Sequence, residues 1–139
     1  MIQSGIIQNI ELASNLESLS KIESFIDDVC EQYGFGEDHY GNMLIALTEA
    51  VNNAITHGNK LDPAKKVSLV MEASESEVCF VVKDEGVGFD FNNIPDPTLP
   101  ENIEKTRGRG LFLMKTLADE VGFEENGTII RLNFYISGN

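Results

Sequence analysis

Residues Lys65 to Ala73 and Glu77 to Lys83 read as two strands, and only the polar stretch Ser74-Glu75-Ser76 separates them. So short a link joins antiparallel neighbours, because a parallel partner needs a crossover of about a dozen residues or more. The second strand carries the apolar run Val78-Cys79-Phe80-Val81-Val82 and then stops at Asp84-Glu85-Gly86-Val87-Gly88. A hairpin thus ends at a glycine-rich turn headed by a carboxylate, and the rest of the chain has to fold around an antiparallel sheet.

The remaining elements follow from periodicity. Residues 5–12 form a short first strand, and Ser14-Asn15-Leu16-Glu17 has the form of a capping box. Leu16, Leu19, Ile22, Phe25, Ile26 and Val29 then recur at helical spacing up to a stop at Gly34. A second helix is expected from about Glu37 to His57, with Leu44, Leu47, Val51 and Ile55 on one line and Glu49 and Asn53 on the opposite side. From Phe91 to Thr106 three prolines (Pro95, Pro97, Pro100) and no sustained period predict a loop, and one so long in a compact domain is read as a lid. Leu111, Met114, Leu117 and Ala118 give a short helix. Val121 to Phe123 should pair with Thr128 to Ile136 across Glu124-Glu125-Asn126-Gly127. The expected fold is α+β, a two-layer sandwich with helices on one face of a mixed, mostly antiparallel sheet.

A chain of 139 residues with 42% hydrophobic and 8% aromatic content is expected to make one domain. Its formal charge of -13 opposes nucleic-acid phosphates and anionic membrane surfaces. Lys105, Arg107 and Arg109 form the single basic cluster, three of ten basic residues, too small for a duplex and suited to a triphosphate. Cys30 and Cys79 have neither CxxC nor metal-ligand spacing and read as buried thiols. The amino terminus has no signal-peptide pattern, and no run approaches the roughly 20 apolar residues that span a bilayer, so a cytoplasmic protein without membrane or direct nucleic-acid contacts is expected.

Three short patterns carry chemistry. Glu49 and Asn53 stand one helical turn apart and can reach a common object. Asn53 offers an oxygen to magnesium, which prefers such ligands and retains waters, and Glu49 would sit where an attacking hydroxyl loses its proton. Asp84 can accept a hydrogen bond from the amino group of adenine, where guanine presents a carbonyl, while Gly86 and Gly88 let a flat base approach. Gly108 and Gly110 are read as preceding a helix whose free backbone N–H groups bind anions. Alone, each pattern has an ordinary explanation: a solvated Glu, an Asp in a turn, solvated arginines at Arg107 and Arg109. Their order and spacing point to ATP and Mg2+. His39 and His57 lack metal partners, and His57 is assigned to packing or hydrogen bonding at its helix end.

Together these residues resemble the Bergerat-fold ATPases and kinases, the group of gyrase, MutL and the sensor histidine kinases. Glu49-Ala50-Val51-Asn52-Asn53 through His57-Gly58 looks like the family's N box, Asp84-Glu85-Gly86-Val87-Gly88 like its first glycine box, and Gly108-Arg109-Gly110-Leu111 like its second. Within the group the chain is most similar to bacterial anti-sigma regulatory factors that are serine/threonine protein kinases. The resemblance implies Glu49 as catalytic base, Asn53 as magnesium ligand and Asp84 with Gly86 and Gly88 around adenine. It also implies a phosphate loop at Gly108 to Gly110, with Thr106, Arg107, Arg109 and Leu111 beside it. It further implies a target serine on an anti-anti-sigma (STAS-type) protein, a sequestered sigma factor and a homodimer.

The principal rival is a module that uses ATP only to shape a partner-docking surface, and intact Glu49 and Asn53 favour the enzyme over it. A free-standing ATPase of the gyrase kind and a sensor-kinase fragment are disfavoured, since neither a transducer domain nor a helix with a phospho-acceptor His is expected here.

Overall fold

The computed structural model describes residues 6–74, 76–88 and 106–136. Five strands form one sheet in the order β1-β2-β3-β5-β4, and each of the four pairings is antiparallel. β1 is Ile6–Ala13, β2 Lys66–Ala73, β3 Glu77–Lys83, β4 Glu120–Glu124 and β5 Ile129–Tyr135. Both predicted hairpins are present. β1 closes one edge by lying along β2, with Ile10 opposite Leu69.

Alternation decides which side of the sheet is covered. Val67, Leu69, Met71, Val78, Phe80, Val82, Ile130, Leu132 and Phe134 are buried, whereas the intervening Val70, Cys79, Val81, Arg131 and Asn133 are only half-buried. The buried side meets helices α1 (Ser20–Tyr33), α2 (Glu37–Asn53) and α3 (Thr106–Leu117) in one core. Phe80 sits at its centre, edge-on to Phe25 of α1 at 6.3 Å and to Phe134 of β5 at 6.0 Å. Burying such a side chain stabilises the fold by about 1.5–3 kcal/mol. The α+β sandwich is therefore as expected.

Four local expectations change. Asn15, not Ser14, caps the first helical segment, its side-chain oxygen accepting the Ser18 N–H at 3.1 Å. Ser14 instead donates its hydroxyl to the Lys65 carbonyl at 2.6 Å, tying β1 to the start of β2. A 3-10 turn over Leu16–Leu19 precedes α1, and its tighter winding swings Leu16 out of the apolar stripe to 53% exposure. α2 ends at Asn53 and continues as one π turn, Ala54–Gly58. Asn53 is buried at 6% exposure rather than turned to the polar side, because α3 packs against this part of α2.

The fourth change concerns the glycines. α3 starts at Thr106, so Gly108 and Gly110 lie within its first turns instead of before it. Glycine is a poor helix former, yet at Gly110 the close approach of α3 to Glu49 and Asn53 of α2 leaves no room for a side chain. The expected lid lies outside the described residues, apart from Thr106. Cys30 and Cys79 are free and half-buried, and burial pushes both thiols above their ordinary pKa. Among the described residues no helix is long and apolar enough to cross a membrane.

Candidate functional site

Where β3 ends, the chain turns back on itself against the π turn. The Asp84 N–H donates to the Thr128 carbonyl at 3.0 Å, and the Asp84 carboxylate accepts the Gly86 N–H at 2.8 Å. That carboxylate is 7% exposed and lies against Gly58, so closely that a Cβ on Gly58 would overlap it. Gly86 in turn rests on the Gly58 carbonyl, and Gly88, at φ +88°, rests on the Asn126 carbonyl. A side chain at Gly88 would be both strained and obstructed. The result is a cleft lined by Asn53, Ala54, Gly58, Asp84, Gly88, Gly127 and Ile130, with an enclosed volume of about 10 Å³. This is space for about one water.

Glu49 and Asn53 meet this cleft from α2. A Cβ on Gly110 would stand 2.8 Å from Glu49 Oε1 and 3.5 Å from Asn53 Nδ2, so α3 delivers its glycine to both side chains at once. Among the described residues, Asn53 Nδ2 is buried without a hydrogen-bond partner. Such an amide is expected to meet a water or a ligand, since leaving it unpaired costs about 1–3 kcal/mol. Burial raises the Glu49 carboxyl above its ordinary pKa, and the Arg109 guanidinium partly offsets this. A carboxylate held this way is a better proton acceptor near neutral pH than one in water.

The sequence-predicted residues are thus brought together: Glu49, Asn53 and Gly110 at one end, Asp84, Gly86 and Gly88 at the other, with Asn53 lining both. Arg109 is exposed on α3 within electrostatic range of Glu49. Leu111 is 1% exposed, its side chain part of the core. Thr106 and Arg107 belong to α3, but their side chains, like Lys105, lie outside the described residues.

One residue escaped the sequence reading. Asn59, 1% exposed at the end of the π turn, accepts the Glu85 N–H at 2.7 Å through Oδ1. Its Nδ2 donates to Ser14 Oγ at 2.8 Å and to the Lys66 carbonyl at 3.0 Å. The Glu85 carboxylate then accepts the Lys66 N–H at 2.5 Å. One buried amide therefore clamps β1, β2 and the Asp84 turn together. The available signal was its place directly after His57-Gly58, since a polar residue at the exit of a functional helix has backbone groups nearby to satisfy.

An antiparallel sheet with its helices on one face, a Glu and Asn one turn apart against a helix glycine, and a carboxylate in a glycine-walled cleft together define an ATP-binding α+β sandwich. The chain belongs to the family of the histidine kinase-like ATPase domain, which it matches over residues 12–134. It is accordingly an ATP-using protein. Its relatives include the serine-protein kinase RsbW of Bacillus cereus (strain AH820), 29% identical over 134 residues that make up 91% of this chain and 83% of that protein. RsbW of Bacillus thuringiensis (strain Al Hakam) matches with the same identity and coverage. Among solved structures, the RsbU and RsbW domains of Rv1364c from Mycobacterium tuberculosis share the fold with a TM-score of 0.69 at 17% identity. That likeness covers 96% of this chain and 33% of the larger one.

Proposed function

We propose that this protein transfers the γ-phosphate of ATP to a serine of an anti-anti-sigma (STAS-type) partner and sequesters a sigma factor, working as a single-domain protein in a homodimer. The chain is an ATP-dependent serine-protein kinase and anti-sigma regulator. The reading is carried by Gly110 of α3 lying against both Glu49 and Asn53, which sets a proton acceptor beside an oxygen donor at the helix that should meet phosphates. The serine hydroxyl attacks the γ-phosphorus as its proton passes to Glu49, the bond to the β–γ bridging oxygen breaks, and ADP departs.

Asp84 receives the adenine amino group in the cleft with Gly86 and Gly88. The free backbone N–H groups of the first turn of α3, up to Gly108, take the phosphates, with Gly110 allowing the close approach to Glu49 and Asn53 and Arg107 and Arg109 supplying charge. Magnesium fits the residues present. A cation that keeps several waters and takes phosphate oxygens needs few protein ligands, and the Asn53 amide is buried where one is wanted. When bound, the ion would neutralise charge building on the phosphates.

Incubation of the purified protein with labelled ATP and a candidate STAS-type protein tests the proposal. Label on a partner serine is expected. ATP-dependent co-elution of the two proteins without any label would replace the kinase with an ATP-gated binding module.

A further inference from the structure

We propose that Asn59 is a positioning residue for nucleotide recognition: its buried amide holds the Asp84–Gly86 turn at the height at which Asp84 reads adenine. The inference rests on the adenine role given to Asp84 above. Three observations support it. Asn59 Oδ1 accepts the N–H of Glu85, the residue joined to Asp84, at 2.7 Å, so any slackening of this bond passes directly into the turn. The residue is anchored from behind by Ser14 Oγ, just past the end of β1, at 2.8 Å and by the Lys66 carbonyl of β2 at 3.0 Å. Both hydrogens of Nδ2 and one acceptor site of Oδ1 are committed, in keeping with the pairing of polar groups in a 1% exposed residue.

The third observation is the backbone that follows. Lys60 and Leu61 are consecutive non-glycine residues in the left-handed region, at φ 54° and 59°. Such positions persist only where the surroundings over-determine them, and they gather at functional sites. Here the chain leaves the π turn, passes Asn59 and reverses through this strained pair toward β2. The Leu61 N–H returns to the Ile55 carbonyl at 2.8 Å to close the loop. Asn59 is the side chain that fastens this reversal to the Asp84 turn, and Gly58 beside it leaves room for the carboxylate. Recognition of adenine therefore depends on a residue that has no contact with it.

Asn59→Ala is tested by nucleotide titration calorimetry and by kinase kinetics on the full chain. Ser14→Ala serves as the control, because it removes the hydroxyl behind Asn59 and its bond to Lys65 but leaves the Glu85 contact in place. Loss of one oriented contact changes affinity by about tenfold. Asn59→Ala should therefore raise Kd and KM for ATP about tenfold and shrink the ATP-over-GTP preference, with kcat within about twofold of the parent. Ser14→Ala should lower Tm comparably with the preference kept. Asn59→Ser, which keeps a polar group but falls short of the Glu85 N–H, carries the same expectation should the alanine variant fail to fold. If Asn59 and Ser14 variants move Tm alone, Asn59 is merely structural and the proposal is overturned. Should Asp84→Ala abolish the preference while Asn59→Ala and Asn59→Ser retain it, only the positioning role falls. Should Asp84→Ala itself leave the preference intact, the adenine assignment falls and takes this inference with it.

Discussion

The Asp84 carboxylate occupies the space in which a side chain on Gly58 would begin. The two residues come from different elements, a π turn and the end of a strand, and each limits what the other position can hold. Because the obstruction is the carboxylate proposed to meet adenine, Gly58→Ala should displace it. ATP affinity should fall by about tenfold or more, the equivalent of at least one kcal/mol-scale contact, while the sheet stays intact. Calorimetric titration together with far-UV circular dichroism checks both halves. Unchanged affinity would mean that Asp84 moves aside freely and is not read by the base.

Direct removal of the carboxylate is the companion measurement. Asp84→Ala deletes a charge-assisted hydrogen bond of about 1.5–3 kcal/mol, so ATP should bind about ten- to a hundredfold more weakly and its advantage over GTP should disappear. Parallel titrations with ATP and GTP decide it, and equal affinities in the parent protein would remove adenine from Asp84's account.

Glu49 separates catalysis from binding. Glu49→Ala should slow phosphoryl transfer by about 10²-fold or more with nucleotide affinity little changed, since a base acts in the transition state. Wild-type transfer in this variant would require another base.

Burial raises the Glu49 pKa, which gives a pH dependence of definite sign. The carboxylate must be deprotonated to act, so transfer should rise with pH through an inflection above the ordinary carboxylate value. Stability runs the other way. Between the unfolded and the raised folded pKa the native state holds a proton that the unfolded chain has lost, so stability falls as pH climbs through this window. Glu49→Gln should therefore raise Tm at neutral pH relative to the parent, and the gain should vanish in acid where both side chains are neutral. A Tm difference independent of pH would contradict the burial of this carboxyl.

Asn53 should show a conflict between stability and function. Its buried Nδ2 has no hydrogen-bond partner among the described residues, so Asn53→Ala should cost little Tm, or even raise it, without nucleotide. With Mg-ATP present the order should reverse, because the lost oxygen ligand weakens binding and transfer together. Thermal melts with and without Mg-ATP test this, and an equal ligand-induced rise in both proteins would remove Asn53 from the metal.

The order of helices and hairpins, the antiparallel character of the sheet and the three box motifs were all readable from the sequence, because they rest on local periodicity and on short-range spacing. Strands with polar turns, the Gly34 stop and the Glu49–Asn53 interval need no partner to be recognised. What the tertiary structure alone decided involves contacts distant in the chain. Periodicity placed Asn53 on a solvent face, but α3 covers it. Propensity started α3 after its glycines, but the helix includes Gly108 and Gly110, and Gly110 packs directly against Glu49 and Asn53. Local pattern made Ser14 a cap, while its hydroxyl is taken by Lys65 and Asn59 from beyond α2. Asn59 offered no more than its place after His57-Gly58, since its role lies in three hydrogen bonds to segments up to 45 residues away. Local physics selects the elements, and burial and hydrogen-bond satisfaction between them, which exist only after the chain has folded, select the site.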